Sequence, residues 1–221
     1  MASRMRKRYS NDYSEEELRK QAGNLENAVT IPVNLEIETD HRVLDLSEVE
    51  SYLKKAKIIG LQDCSCRVEK GNCDAPRNVC ISIDQPDDYF SKNAKYRARK
   101  STLKEALEAL RKTHEAGLVH MAYTHKGEDQ VSLICSCCPC CCSTLGGLLR
   151  FGIATKVLTS KYLAEENPEK CLKCGRCAER CVFGARTFET GELVFESSKC
   201  FGCGLCVTTC PSGAITLKHR N

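Results

Sequence analysis

Two runs near the C-terminus, CLKCGRCAERCV and CFGCGLCVTTCP, share the spacing C-x2-C-x2-C-x3-C. They contain Cys171, Cys174, Cys177 and Cys181, then Cys200, Cys203, Cys206 and Cys210. A shift of 29 residues carries the first set onto the second, and likewise Gly184 onto Gly213, Ala185 onto Ala214 and Thr187 onto Thr216. The segment is an internal duplication. Three cysteines two residues apart lie on a tight loop that wraps three corners of a cubane. The fourth, three residues later, has entered a short helix and points toward the other cluster. The spacing therefore assigns Cys171, Cys174, Cys177 and Cys210 to one [4Fe-4S] cluster, and Cys200, Cys203, Cys206 and Cys181 to a second. Gly175, Gly202 and Gly204 allow the loops positive φ and let backbone N–H groups approach the sulfurs. The flanks TFETGELVFE (187–196) and AITLKH (214–219) alternate as short strands do, with Thr-Gly at a hairpin turn.

On these motifs, residues 161–221 resemble the bacterial-type ferredoxin domain with two [4Fe-4S] clusters. The resemblance implies two pseudo-symmetric halves, each a hairpin with a helix, that pass single electrons between clusters. Val182 departs from the family pattern, which has proline there, whereas Pro211 keeps it. That change removes no ligand.

Of 221 residues, 18 are cysteine and none is tryptophan. Such density suits a disulfide scaffold when a chain is short and secreted. Here the basic start MASRMRKRYSNDYSEEE has no apolar stretch after it, so no secretory signal is expected. Adjacent cysteines such as Cys137-Cys138 and Cys140-Cys141-Cys142 also pair poorly in tidy bridges. Reduced thiolates holding metal in a cytoplasm fit better. No window reads as a membrane span: the most apolar, 143–160, carries Arg150 and Lys156, and its Leu145, Leu149, Ile153 and Val157 form a helical stripe. The formal charge of +4 counts every cysteine as neutral. A cubane held by four thiolates is anionic, so the basicity is weak support for nucleic-acid binding.

Ten further cysteines lie upstream. QDCSCRVEKGNCDAPRNVC holds Cys64, Cys66, Cys73 and Cys80, which read as ligands on a loop, for iron–sulfur or for zinc. Arg67 either donates to a cluster sulfide or is a surface arginine. ICSCCPCCCSTL (134–145) holds Cys135, Cys137, Cys138, Cys140, Cys141 and Cys142. It leaves a strand read over 130–135 and precedes a helix for which Ser143-Thr144 is the expected cap. Consecutive cysteines cannot all face one cubane, so they are divided. The ten suit two cubanes with two thiols spare, one cubane with six spare, or one larger cluster. Cys64, Cys66, Cys73 and Cys80 are not expected to serve one cluster together, and some share with the 135–142 run. The pairing of a CxCR…GNC…C loop with a CxCCxCCC run resembles a group of iron–sulfur proteins from anaerobic bacteria and archaea. In that group a similar module precedes a two-cluster ferredoxin domain.

Elsewhere, residues 1–13 read as disordered. A short helix is expected over 13–23, extended chain over 28–38, and an amphipathic helix over 46–56. A strand over 119–125 leads to a turn at 126–129, and a capping box at Thr102–Glu105 opens a helix to about His114. YFSKNAKYRARKSTLK (89–104) is basic with three aromatics, and suits a solvated loop or the docking of an acidic redox partner better than nucleic acid.

The expected architecture is α+β: a lead-in over 1–27, a cysteine-rich iron–sulfur module over 28–160 with one or two clusters, and a ferredoxin domain over 161–221. The expected function is electron transfer through several [4Fe-4S] clusters. The chain would serve as a cytoplasmic carrier for redox partner proteins or as the electron-feeding subunit of a larger oxidoreductase. The alternative is an iron–sulfur enzyme acting on a disulfide, a sulfur compound or a bound substrate at Cys135–Cys142; no catalytic acid or base is assigned.

Overall fold

The structure is a computed structural model that describes residues 13–22, 25–30, 47–125, 130–153 and 157–220. The expected chain state over 1–12, the segment 31–38 and the turn 126–129 lie outside these residues. The fold mixes helices and sheets and divides into two compact units, Met1–Val29 with Ser47–Leu158, and Thr30–Leu46 with Thr159–Asn221.

The first unit is built on a seven-stranded sheet. Its strands are β1 (Leu25–Thr30), β2 (Ile59–Asp63), β3 (Asn78–Ile83), β4 (Arg99–Ser101), β5 (Val119–His125), β6 (Leu133–Cys137) and β7 (Val157–Leu158), in the order β4-β2-β3-β6-β5-β1-β7. The pairs β2–β4, β2–β3, β3–β6 and β5–β6 are antiparallel, and β1–β7 is parallel. The helix Leu103–Glu115 covers one face and buries Ala106, Ala109, Leu110 and Thr113. Facing it are Leu61, Ile81 and Ile134, all buried. Each such side chain contributes about 1.5–3 kcal/mol of apolar burial. The helix begins at the expected capping box, with Thr102 and Glu105 bonded reciprocally, and ends at Gly117, whose φ is 79°.

Side chains alternate between the two faces of a strand. In β6 that alternation sends Ile134 and Ser136 toward the helix, where Ser136 Oγ donates to Thr113 Oγ1 at 2.9 Å. Cys135 and Cys137 point to the opposite face. Ser136 interrupts the cysteine run because its position belongs to the helix side. Register places Cys80 of β3 and Cys135 of β6 on one face, and their sulfurs are 3.5 Å apart.

Several expectations are corrected. Cys66 is not on a loop: it lies in the first turn of the helix Ser65–Lys70, with Cys64 as its N-cap and Gly71 (φ 60°) at its end. Cys80 is on a strand. The second cysteine strand spans Leu133–Cys137 instead of 130–135, so it carries Cys137 as well as Cys135. The helix after the run spans Ser143–Phe151 and is capped by Cys142, not by Ser143-Thr144. Gly152, at φ 62°, stops it before Ile153 and Val157 can extend the stripe. The segment 89–104 is not an open loop but a helix Asp88–Lys92, a 3-10 turn Ala94–Tyr96 and the edge strand β4. The N-terminal helix is Glu15–Ala22, and Leu18 on it is buried within contact distance of Gly147. The amphipathic helix Ser47–Lys55 buries Val49 and Leu53.

The second unit has two antiparallel ribbons, β8 (Tyr162–Glu166) with β11 (Ile215–His219), and β9 (Arg186–Glu189) with β10 (Glu192–Phe195). The expected Thr190-Gly191 turn joins β9 to β10, with φ of 51° and 86°. The strand β8 has no counterpart in the sequence reading. Two five-residue helices, Arg176–Arg180 and Leu205–Thr209, sit 29 positions apart, as the cysteines do. Positive φ recurs at the same interval, at Lys173 and Gly202 (47° and 70°) and at Gly184 and Gly213 (66° and 63°). At Gly202 glycine is obligatory on a second count, because a Cβ there would lie 2.1 Å from the Tyr162 carbonyl oxygen and 2.2 Å from Ser160 Oγ.

Candidate metal centres

In the second unit, Cys171, Cys174 and Cys177 line one cavity together with Cys210 from the other cysteine run, and Leu193 and Ile215 complete its apolar wall. Cys210 receives a hydrogen bond from the Ala214 amide at 3.3 Å. Against the effect of burial, this bond and the Ser212 hydroxyl draw its thiol below the ordinary value. In the other set, burial pushes the Cys203 thiol well up and Cys206 up to about 12, with neighbouring cysteines, Cys181 and Cys200 among them, acting the same way. Cys181 of the first run thus stands close enough to Cys203 and Cys206 for charge on one to disfavour charge on the others. Metal binding must displace these protons.

Arg186 lies among these thiols. Its side chain is buried; Nη1 donates to Glu166 at 2.5 Å, and the guanidinium packs on the Phe195 ring at 4.3 Å. Among the described residues Nε and Nη2 have no hydrogen-bond partner, and the charge favours thiolates at both Cys206 and Cys177. A buried cation with unpaired donors is costly unless an anion meets it. Thiolates carrying an anionic cluster fit that requirement. The donor set and the orphaned N–H groups agree with iron–sulfur ligation.

In the first unit, Cys73, Cys138, Cys140 and Cys141 bring four sulfurs within 4.8 Å of one another. The individual contacts are 3.7 Å for Cys73–Cys138, 3.8 Å for Cys73–Cys141 and 3.9 Å for Cys140–Cys141. Asn72 Nδ2 donates to the Cys140 carbonyl at 2.9 Å and clamps the two loops together. Hydrogen bonds from Cys140, Cys141 and Cys73 hold the Cys138 thiol far below its usual range, while that thiolate pushes Cys140 and Cys141 up. Cys138 raises Cys73, but Cys140 and Cys141 outweigh it and bring that thiol down to about 7. Four sulfurs gathered this closely are a donor set suited to a metal.

Residues 170–214 match the family described as the 4Fe-4S dicluster domain. This part of the chain is an iron–sulfur domain of ferredoxin type. No curated protein matches the chain.

Among the other six upstream cysteines, the sulfurs of Cys80 and Cys135 lie 3.5 Å apart across β3 and β6. Cys142 also accepts from the Leu145 amide at 3.5 Å as the cap of its helix. Tyr123 OH lies 3.6 Å from the Cys137 sulfur. Hydrogen bonds from Cys135 and Cys142 draw Cys137 down to about 6, whereas Cys142 pushes Cys66 up to about 12.

Arg67 is not a surface arginine. It is 1% exposed, donates to the Ser136 carbonyl at 2.8 Å and lies 3.7 Å from the Cys138 sulfur. The basic segment 89–104 holds five of its six cations in ion pairs: Lys92–Asp88, Lys95–Glu69, Arg97–Asp63, Arg99–Glu105 and Lys100–Asp87. Among the described residues no helix is long and apolar enough to cross a membrane.

Proposed function

We propose that this protein transfers single electrons through several [4Fe-4S] clusters, as a carrier or as the electron-feeding part of an oxidoreductase, and passes them to a redox partner protein. The observation that carries the reading is the cavity shared by Cys171, Cys174, Cys177 and Cys210 within a segment that matches a dicluster domain. Cys200, Cys203, Cys206 and Cys181 form the second ligand set, in the pseudo-symmetric arrangement of a bacterial-type ferredoxin. When bound, a [4Fe-4S] group supplies a one-electron couple whose potential depends on hydrogen bonds, charge and solvent exposure. The chain's own part is to fix four thiolates per group, to aim backbone N–H groups at sulfur and to keep the Arg186 charge between the two sets.

In the first unit, Cys73, Cys138, Cys140 and Cys141 hold a further cluster of the same kind. Burial argues against the alternative of thiol chemistry on a substrate, since Cys137, Cys138, Cys140, Cys141 and Cys142 are all buried. A nucleophilic thiol must meet its substrate.

The test is spectroscopic. Protein purified without oxygen is expected to be brown and to give paramagnetic signals of reduced [4Fe-4S] centres after dithionite. Cys174→Ser is expected to lower iron by up to about four per chain. Colourless protein with zinc as its only metal overturns the reading.

A further inference from the structure

We propose that Cys80 and Cys135 are a redox-active thiol pair, closed to a cross-strand disulfide by small disulfides and reopened by small dithiols, and are not ligands to iron. This goes beyond the electron-transfer reading and does not depend on it.

Strand register brings the two thiols together. β3 and β6 pair antiparallel through Ile81–Ile134 and Ser82–Leu133, so the next position sets Cys80 opposite Cys135. Their sulfurs are 3.5 Å apart. Ile83 N donates toward β6, to the Ser132 carbonyl at 2.9 Å, whereas Asp84 N donates the other way, to the Ile58 carbonyl at 2.8 Å. Along β3 odd positions thus bond toward β6 and even positions toward β2. Cys80 and Cys135 are therefore a non-hydrogen-bonded pair, the kind whose Cα atoms approach to about 4.5 Å. Disulfides span Cα separations of roughly 4.4–6.8 Å. The bridge can form by side-chain rotation, without shifting the strands.

The surroundings favour a pair over a metal site. Across the sheet, Gln62 of β2 stands opposite Cys80, and Met121 of β5 stands opposite Cys135. The row therefore ends in an amide on one side and a thioether on the other, with no third thiol in it. Neither cysteine belongs to the group of Cys73, Cys138, Cys140 and Cys141. A cubane takes four thiolates, and two sulfurs in contact suit a bond to each other instead.

Exposure gives the two thiols different parts. Cys135 is the one cysteine of the 135–142 run that is not buried, whereas Cys80 is buried. A thiolate at Cys135 can therefore meet a small disulfide, RSSR, and Cys80 cannot. The Cys135 sulfur attacks one sulfur of RSSR, the S–S bond breaks, and a mixed disulfide forms at Cys135. The first RS⁻ leaves and takes up the proton that Cys135 gave to solvent. Cys80 then attacks the Cys135 sulfur, the mixed disulfide breaks, and a second RS⁻ leaves to take up the Cys80 proton. The pair has lost two electrons and two protons, and RSSR has gained both to become two RSH. A small dithiol runs the same steps backwards.

The test uses the full chain, loaded anaerobically with ferrous iron and sulfide and then treated with glutathione disulfide. Remaining thiols are blocked with iodoacetamide, and unreduced peptides are mapped by mass spectrometry. Two peptides joined through Cys80 and Cys135 are expected, with the iron content unchanged, and dithiothreitol is expected to remove the link. Cys80→Ser is expected to stop at the intermediate and hold one glutathione on Cys135. Cys135→Ser is expected to take up none at Cys80. Absence of the joined peptides in the wild type, a link from either cysteine to a different thiol, or loss of iron on oxidation overturns the proposal. So does glutathione on Cys80 in Cys135→Ser. The wild-type map decides the matter even where a variant fails to fold. Colourless protein would sink the electron-transfer reading and leave this map readable, whereas a missing link leaves the paramagnetic signals in place, so the two failures are told apart.

Discussion

Arg67 donates from Nη1 to the carbonyl of Ser136 at 2.8 Å, joining the helix that carries Cys66 to the strand that carries Cys135 and Cys137. One guanidinium thereby meets both cysteine runs of the first unit.

Removing that cation tests its electrostatic role. Arg67→Met is expected to shift the midpoint of the first unit's centres to more negative values by on the order of 60 mV, a tenfold change in a one-electron equilibrium. A positive charge beside a cluster favours the reduced, more anionic state. Potentiometric titration followed by electron paramagnetic resonance is the measurement, and the C-terminal centres serve as an internal reference.

Gly202 and Gly184 separate backbone strain from steric exclusion. Both have positive φ, 70° and 66°, but only at Gly202 would a Cβ meet other atoms. Gly184→Ala is expected to cost about 1 kcal/mol from left-handed strain alone. Gly202→Ala must move the Tyr162 backbone as well, so it is expected to cost several-fold more and to lower the iron content of the C-terminal domain. Chemical denaturation with iron analysis distinguishes the two.

Among the ion pairs of the basic segment, Arg97–Asp63 stands apart. Asp63 is 8% exposed and takes two bonds of 2.8 Å from Arg97. Arg97→Ala takes both bonds from a buried carboxylate that keeps the Asn78 amide at 3.1 Å, and is expected to cost about 1–3 kcal/mol. Lys100→Ala breaks an exposed pair with Asp87 and is expected to change stability by about 0.5 kcal/mol or less. Thermal unfolding of both variants gives the comparison.

Tyr89 provides a pH marker. Burial, together with the thiols of Cys80 and Cys135, pushes its phenol up to about 12, although its hydrogen bond of 2.9 Å to Gln62 acts the other way. The folded value lies above the unfolded one, about 10. The stabilisation from the neutral phenol is therefore complete below pH ~10 and is lost as pH rises through 12. Absorbance at the phenolate band should show tyrosine titration extending above the usual range, since Tyr96 and Tyr123 are raised as well, and Tyr89→Phe should remove the part near pH 12.

Much of the C-terminal domain was legible because its signals are local. Loop spacing, the interval of the duplication and the Thr190-Gly191 turn involve neighbours in the chain, so residue types alone specify them. The strand β8 was not legible: YLAEE shows weak alternation, and its partner β11 lies about fifty residues away. Upstream, the division of ten thiols depends on β3 pairing with β6, and no spacing within either run encodes that register. The meaning of Ser136 follows from the same strand, since its neighbours on one face are cysteines and on the other Thr113. Arg67 could be named from its place beside Cys66, but its burial required the sheet above it. The ion pairs of the basic segment were not legible because composition counts cations without showing which carboxylates fold against them.

Cys142 has two duties, as a sulfur among the thiols and as the acceptor for the Leu145 amide that starts the helix Ser143–Phe151. That helix bears Gly147, against which Leu18 of the N-terminal helix rests. Damage at this sulfur would therefore not stay chemical. A sulfur oxidised or pulled away loses its hold on the amide, the first turn frays, and the seat of Leu18 loosens with it. Oxidation of this sulfur would be registered on the neighbouring helix Glu15–Ala22 as a proteolytic nick.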